Sequence, residues 1–396
     1  MTAKTYALLF TFVYFVSYIT RINFGGIVSE MEHTTGMSRS LLSMALTGSF
    51  ITYGSGQLVS GVLGDKVSPK KLISVGLLVS SAMNLCIPLC GNHIQMTVVW
   101  CLNGFAQSFM WPPLVKLMTV MFNEEEYKSA SVKVSWGASF GTMAVYLFSP
   151  ILISLWGWKS VFIGSALCGC VMIVVWNLLC CDVEHTPKAA ETARKTGSSR
   201  SVFSIAIVGI MFAIVMQGML RDGVTTWMPS FISETYNLSN VISILTGVAM
   251  PVFSIVSIQA ASTLYRKKFS NPVLCSAVIF TAAAAAALAL VIFNGRNAAC
   301  SVAFSAVLTG CMHGVNMILN CMIPPCFKKH GNVSTVSGLL NACTYIGSAS
   351  STYGIAVLSE KFSWGSTLKI WLLVAILGTL SCYLSTKPWK KQVQNL

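Results

Sequence analysis

Apolar runs of about twenty residues recur almost without pause from Tyr6 to Leu384, the length an α-helix needs to cross about 30 Å of hydrocarbon. An unpaired backbone amide in lipid costs several kcal/mol, and a helix satisfies its own, so the repeated runs predict helices and nothing else. Composition agrees: the 396 residues are 54% apolar and 10% charged, whereas soluble domains carry roughly 25% charged residues. A water-soluble surface cannot be made from that. The expected fold is an all-α membrane protein with twelve transmembrane helices. Its spans lie near 5–28, 42–64, 71–90, 94–121, 130–154, 159–180, 202–227, 240–264, 271–293, 298–325, 333–358 and 365–385. The first run is too long for a removable signal peptide, lacks a small-residue cleavage site and holds Arg21, so it is expected to remain as the first span.

A formal charge of +14 raises the question of a nucleic-acid partner, and its distribution answers it. Lysines and arginines gather at Lys4, in the even-numbered loops (Lys66, Lys70 and Lys71; Lys128; Lys188 to Arg200; Arg266 to Lys268; Lys328 and Lys329) and in the tail at Lys387, Lys390 and Lys391. The opposite loops hold only Arg39, Lys159, Arg296 and Lys361. This is the positive-inside bias, which predicts cytoplasmic N- and C-termini in a plasma (inner) membrane. The basic charge thus reports topology, and no nucleic acid is expected as partner.

The 14 cysteines fall almost entirely inside apolar spans, as with Cys168, Cys170, Cys275, Cys300 and Cys343. They read as small buried hydrophobes, with no metal site, no cofactor and no disulfide expected. Polar residues concentrate instead in one stretch, 182–200, the expected cytoplasmic linker between an N-terminal bundle (1–181) and a C-terminal bundle (201–396).

The halves echo each other. Pro112-Pro113-Leu114-Val115-Lys116 returns as Pro324-Pro325-Cys326-Phe327-Lys328, Gly157-Trp158-Lys159-Ser160 is echoed by Ser363-Trp364-Gly365-Ser366, and Arg21 in the first span is matched by Arg221 in the seventh. Two parallel six-helix repeats mark the major facilitator fold, with two six-helix bundles and substrate near the midplane. Between the second and third spans, Gly61-Val62-Leu63-Gly64-Asp65-Lys66 resembles that superfamily's loop motif, in which glycines permit close helix approach and an acid caps or pairs with neighbouring helix ends. Gly61 and Asp65 are therefore expected to serve gating and structure, as is Lys116 near the end of the fourth span.

Arg21 and Arg221 lie deep inside apolar spans, where a cation costs at least ~2.5 kcal/mol and usually marks a pathway. Two guanidinium forks suit an anion with several oxygens, phosphate or carboxylate. The alternative, pairing with a protein acid, finds few candidates; Asp222 adjoins Arg221 but its Cβ points about 100° away around the helix. Helical spacing adds polar stripes: Tyr14, Tyr18 and Arg21; Tyr53 and Gln57; Gln217, Arg221 and Thr225; His313, Asn316 and Asn320; Asn341 and Tyr345. Trp136 and Phe140 read as packing or cavity wall.

The segments Tyr18-Ile19-Thr20-Arg21-Ile22-Asn23-Phe24, Tyr53-Gly54 to Asp65-Lys66, Asn103-Gly104 to Trp111-Pro112-Pro113, and Leu220-Arg221-Asp222-Gly223-Val224 to Trp227-Met228-Pro229 resemble the organophosphate:phosphate antiporter family, which includes the glycerol-3-phosphate and hexose-phosphate transporters. The resemblance implies that Arg21 and Arg221 clasp the substrate phosphate, that Tyr14, Tyr18, Tyr53 and Tyr345 line the cavity, and that phosphate returns in exchange by rocker-switch alternating access in a monomer. Two departures stand out: the family's second-span lysine falls on Gln57 and its fifth-span histidine on Phe140, which points toward a less charged phosphoester or a carboxylate.

These observations predict a secondary active transporter that moves a small organic anion, a phosphorylated metabolite, in exchange for inorganic phosphate. The substrate-binding residues expected are Arg21, Arg221, Tyr14, Tyr18, Tyr53, Gln57, Tyr345 and His313. A proton-coupled carboxylate symporter using Asp222 or His313 is the alternative, followed by a transporter-like membrane sensor of sugar phosphate. An enzyme is not expected, because no catalytic set sits in a soluble region.

Overall fold

The computed structural model describes residues 2–181, 204–236, 240–361 and 363–395. The expected linker at 182–200 lies outside the described residues. Among the described residues fourteen α-helices follow one another: α1 (Ala3–Gly26), α2 (Val28–Thr35), α3 (Arg39–Lys66), α4 (Pro69–Cys86), α5 (His93–Gln107), α6 (Trp111–Met121), α7 (Glu124–Trp156), α8 (Lys159–Leu179), α9 (Ile205–Tyr236), α10 (Asn240–Lys268), α11 (Pro272–Phe293), α12 (Ala298–Met322), α13 (Val333–Lys361) and α14 (Trp364–Asn395). Each of the twelve expected spans falls on helix.

Among the described residues, eight helices are long and apolar enough to cross a membrane. The other four spans are α3, α5 with α6, α10 and α13. Helices α3, α10 and α13 are rich in Gly, Ser and Thr, residues that serve helix packing and polar faces rather than contact with lipid. The fourth span is broken: α5 ends at Gln107 and α6 starts at Trp111, directly before Pro112 and Pro113. A proline lacks the N–H the preceding turn needs and its ring clashes with that turn's carbonyl, so the helix restarts with the prolines in its first turn. In the second half the same Pro-Pro pair opens a 3₁₀ segment, Pro324–His330, instead of an α-helix.

Local chemistry fixes several helix starts. Ser68 caps α4 with Pro69 in its first turn, Asn92 caps α5 and Asn271 caps α11, each placing a side-chain oxygen on otherwise unpaired amides. Helix α7 begins with a full capping box, Asn123 and Glu126 exchanging bonds.

The described residues form two compact units, one from Met1–Ala190 with Gly331–Leu339 and the other from Glu191–His330 with Leu340–Leu396. In the first unit α1 packs along α7, α3 along α5 and α4 along α8. Small residues make these approaches possible: a Cβ on Gly137 would lie 2.5 Å from the Thr11 carbonyl oxygen, and one on Gly141 would lie 2.6 Å from that of Phe15. The end of this unit beside α2 is filled by Phe24, Trp100, Trp158 and Phe162, whose rings meet at 5.0–5.9 Å. In the second unit α9 packs on α12 and α14, and α11 on α12 and α14. There Gly218 faces the Thr344 backbone and Gly347 the Val215 backbone, each close enough that a Cβ would collide.

One sequence expectation is corrected here. Cys168 and Cys170 are exposed on the surface of α8 rather than buried. A lipid-facing surface is as apolar as a helix interface, so a thiol inside a span need not be buried.

Candidate functional site

In the first unit the separate stripes expected on α1 and α3 come together around Arg21. Its guanidinium carbon sits 3.8 Å from the centre of the Tyr53 ring and 5.5 Å from that of Tyr18. Tyr14 packs edge-on against Tyr18 at 5.2 Å and against Trp111 at 5.1 Å. A delocalised planar cation is attracted to an aromatic face, so the Tyr53 ring supports the guanidinium of Arg21.

Behind Arg21 lies a buried polar network that sequence reasoning did not assign. Asn84 donates to the carbonyls of Thr20 and Ser80, both at 2.9 Å, and accepts from Asn23 at 2.7 Å. Asn23 also donates to Ser165 Oγ at 2.9 Å. Asn103 donates to the Thr20 carbonyl at 3.1 Å, and Gln107 to Thr20 Oγ1 at 2.8 Å and Ser80 Oγ at 2.7 Å. Helices α4 and α5 are thereby tied to α1 at Thr20, the residue that precedes Arg21, and α8 joins through Asn23. The signal was available: amides inside apolar runs are costly unless partnered, and Asn23, Asn84, Asn103 and Gln107 all occur in such runs.

Gln57 is fully buried, and its amide N–H reaches the Ser108 carbonyl at 3.4 Å, at the break between α5 and α6. It braces that break rather than standing in the Tyr53 stripe as an open ligand. Phe140 is exposed and Trp136 half-buried on α7. A cavity of about 270 Å³ in this unit, lined by Gly26, Glu30, Tyr146 and Pro150 among others, carries an acid and no cation. It does not suit an anion.

The loop motif forms a polar lock. Asp65 accepts from the backbone N–H groups of Ser334 at 3.0 Å and Thr335 at 2.6 Å, in the first turn of α13, where a carboxylate meets both unpaired amides and the positive helix end. Lys116 stands 3.7 Å from Asp65 and donates to the Gly64 carbonyl at 2.8 Å. Gly61 passes so close to α13 that a Cβ there would lie 2.9 Å from the Ser334 carbonyl oxygen. These contacts are why Gly331–Leu339 belongs to the first unit.

In the second unit Arg221 does meet a protein acid, Asp222, which its helical phase argued against. Its Nε donates to Asp222 Oδ1 at 2.7 Å and its Nη2 to Oδ2 at 2.8 Å, a bidentate pair between neighbours in sequence. The 100° between the two Cβ directions does not separate them, because an arginine's flexible stem is long enough to curl around the helix and present its fork side-on. Asp222 also accepts from Ser348 Oγ on α13, and His313 on α12 lies near enough to act electrostatically on both members of the pair. Gln217 is buried and donates to the Met312 carbonyl at 3.1 Å. Thr225 Oγ1 returns to the Arg221 carbonyl at 2.6 Å. Below His313, Asn320 bonds Asn316 at 2.8 Å and Thr344 at 3.2 Å. Tyr345 is buried on α13, one turn from Ser348.

A helical membrane chain with inward cations and repeated halves is, as a class, a membrane transporter of the two-bundle kind. The chain belongs to the Major Facilitator Superfamily, whose profile matches residues 10–352; members of that superfamily are transporters rather than enzymes, and this chain is an integral membrane protein. It is similar to a probable hexose phosphate transport protein of Chlamydia muridarum, 25% identical over 46% of this chain and 39% of the relative. It is also similar to the membrane sensor protein UhpC of Escherichia coli, 26% identical over 44% of this chain and 39% of the relative. With the glycerol-3-phosphate transporter of Bacillus subtilis it shares 23% identity over 56% of this chain and 55% of the relative. The matches thus span from well under half to just over half of those relatives' lengths. Among solved structures, the proton:xylose symporter XylE superimposes with a TM-score of 0.78 at 12% identity, over 96% of this chain and 94% of that one, a likeness of fold. The resemblance to the organophosphate:phosphate antiporters therefore stands on relatives as well as on motifs.

Proposed function

We propose that this chain is a secondary active transporter exchanging a small organic anion, a phosphorylated metabolite, for inorganic phosphate by alternating access. Arg21 and Arg221 bind the anion, with Tyr14, Tyr18, Tyr53 and Tyr345 lining its path and His313 beside it. The observation that carries this reading is Arg21: a cation within an apolar helix, its guanidinium laid on Tyr53 and backed by a buried amide network. A structural cation needs no such framing, whereas an anion-binding fork needs its orientation fixed in advance. The relatives named for hexose phosphate and glycerol-3-phosphate transport support the substrate class. In this reading residues 1–181 and 201–396 are the two six-helix bundles of a monomer in a plasma membrane, with both termini and the 182–200 linker cytoplasmic, as the basic loops suggest. Asp65, Gly61 and Lys116 serve the conformational cycle.

A second reading, proton-coupled symport of a carboxylate, is favoured by the Arg221–Asp222 pair, since an acid on a substrate-binding arginine is suited to link proton and anion.

The test is uptake of labelled phosphate into liposomes that contain the purified protein and are preloaded with phosphate. Exchange that is lost in both Arg21→Ala and Arg221→Ala supports the antiporter reading. Absence of phosphate movement, with proton-dependent accumulation of a carboxylate that Asp222→Asn abolishes, establishes symport instead.

A further inference from the structure

The fork of Arg221 is already filled. Both oxygens of Asp222 meet it in the parallel geometry that a substrate phosphate or carboxylate would use, and Ser348 Oγ holds the same carboxylate from α13. The pair is only partly withdrawn, the Arg221 side chain being 13% exposed and that of Asp222 32%. An incoming anion thus meets a guanidinium whose charge is already matched. A fully cationic arginine attracts a second negative charge, whereas a neutral pair repels one as readily as it attracts it.

We infer that Asp222 is a specificity-determining residue, an internal anion that competes for Arg221 and restricts this end of the substrate to a single negative charge: a carboxylate, a phosphodiester or the monoanionic form of a phosphate monoester. The inference rests on the proposed transport function and names the charge class of its substrate. Dianions are disfavoured because one negative charge stands on Asp222 already. The opposing role, a purely structural tie between α9 and α13, predicts no dependence on ligand charge.

Two probes of nearly the same size separate these roles. At pH 8 methyl phosphate is a dianion, its second ionisation lying near pH 6, while dimethyl phosphate is a monoanion throughout. Equilibrium binding of both is measured on the purified full chain in lipid nanodiscs. The wild type is expected to prefer dimethyl phosphate or to bind both alike. Asp222→Asn keeps the size of the side chain and an acceptor for Ser348 Oγ, and is expected to raise methyl phosphate affinity at least tenfold while dimethyl phosphate changes less than about threefold. Asp222→Glu is expected to restore the wild-type ratio. If Asp222→Asn does not fold, Asp222→Ser, which retains a hydroxyl for Ser348, serves as second variant. An unchanged ratio of the two affinities in a folded variant overturns the inference alone. Binding of neither probe to any variant, or binding that Arg221→Ala leaves intact, overturns the proposed anion site together with it.

Discussion

Replacing Asn84 by leucine tests whether the buried amide network holds the Arg21 segment. Asn84 has no exposed surface and makes three bonds, to Asn23 and to the carbonyls of Thr20 and Ser80. Leucine has the same branching and the same number of side-chain heavy atoms, with bulkier methyl groups, so the change removes hydrogen bonds without opening a cavity. Hydrogen bonds between membrane helices contribute about 0.6 kcal/mol on average and up to about 1.7. Thr20 keeps a bond from Asn103 and Asn23 keeps Ser165, which places the loss near the average, at about 2 kcal/mol for three bonds. For a unit of this size that corresponds to a fall of roughly 4–8 °C in the unfolding temperature. The measurement is thermal unfolding in detergent followed by circular dichroism. Ser74→Ala, which removes a part-buried bond to the Lys70 carbonyl and an exposed one to Asn177, is the control. Because Thr20 directly precedes Arg21, phosphate affinity is expected to fall in the same variant. A shift no larger than that of the control refutes the reasoning, since it means that the network is offset by equivalent partners in the unfolded state.

Three further outcomes follow from the geometry. Tyr53→Phe retains the ring face beneath Arg21 and is expected to keep most phosphate affinity, whereas Tyr53→Ala loses a cation–π contact of about 0.5–2 kcal/mol, a fall of roughly 2- to 30-fold in affinity; equal losses in a binding titration refute the stacking role. Asp65→Asn weakens two charge-assisted bonds to the amides of Ser334 and Thr335, so the exchange rate is expected to fall at least tenfold with the equilibrium affinity for phosphate little changed, and a fall in affinity alone argues against a role in the cycle. Gly218→Val drives a side chain into the Thr344 backbone and is expected to abolish the monodisperse peak in size-exclusion chromatography; a well-behaved variant shows that α9 and α13 separate more readily than their packing implies.

The sequence by itself determined the solvent, the number and place of the spans and the repeat of the halves, because a bilayer imposes its demands locally: twenty apolar residues, every amide bonded within the helix, charge outside. It also singled out Arg21 and Arg221, since an isolated cation in an apolar run stands out without knowledge of neighbours. Only the tertiary structure decided what surrounds them. Tyr53 reaches Arg21 from another helix, the amides that brace Thr20 come from 64 and 83 residues away, and Asp65 finds its partners 269 and 270 residues on. Gln57 shares a helical stripe with Tyr53 yet turns inward to a carbonyl freed where α5 breaks. Asp222 shows the same limit within two adjacent residues: helical phase fixes where a Cβ points, but the rotamers of a long side chain and a donor from α13 decide which groups meet. Periodicity is a property of the backbone, whereas partnership depends on side-chain reach and on which helices the fold brings alongside.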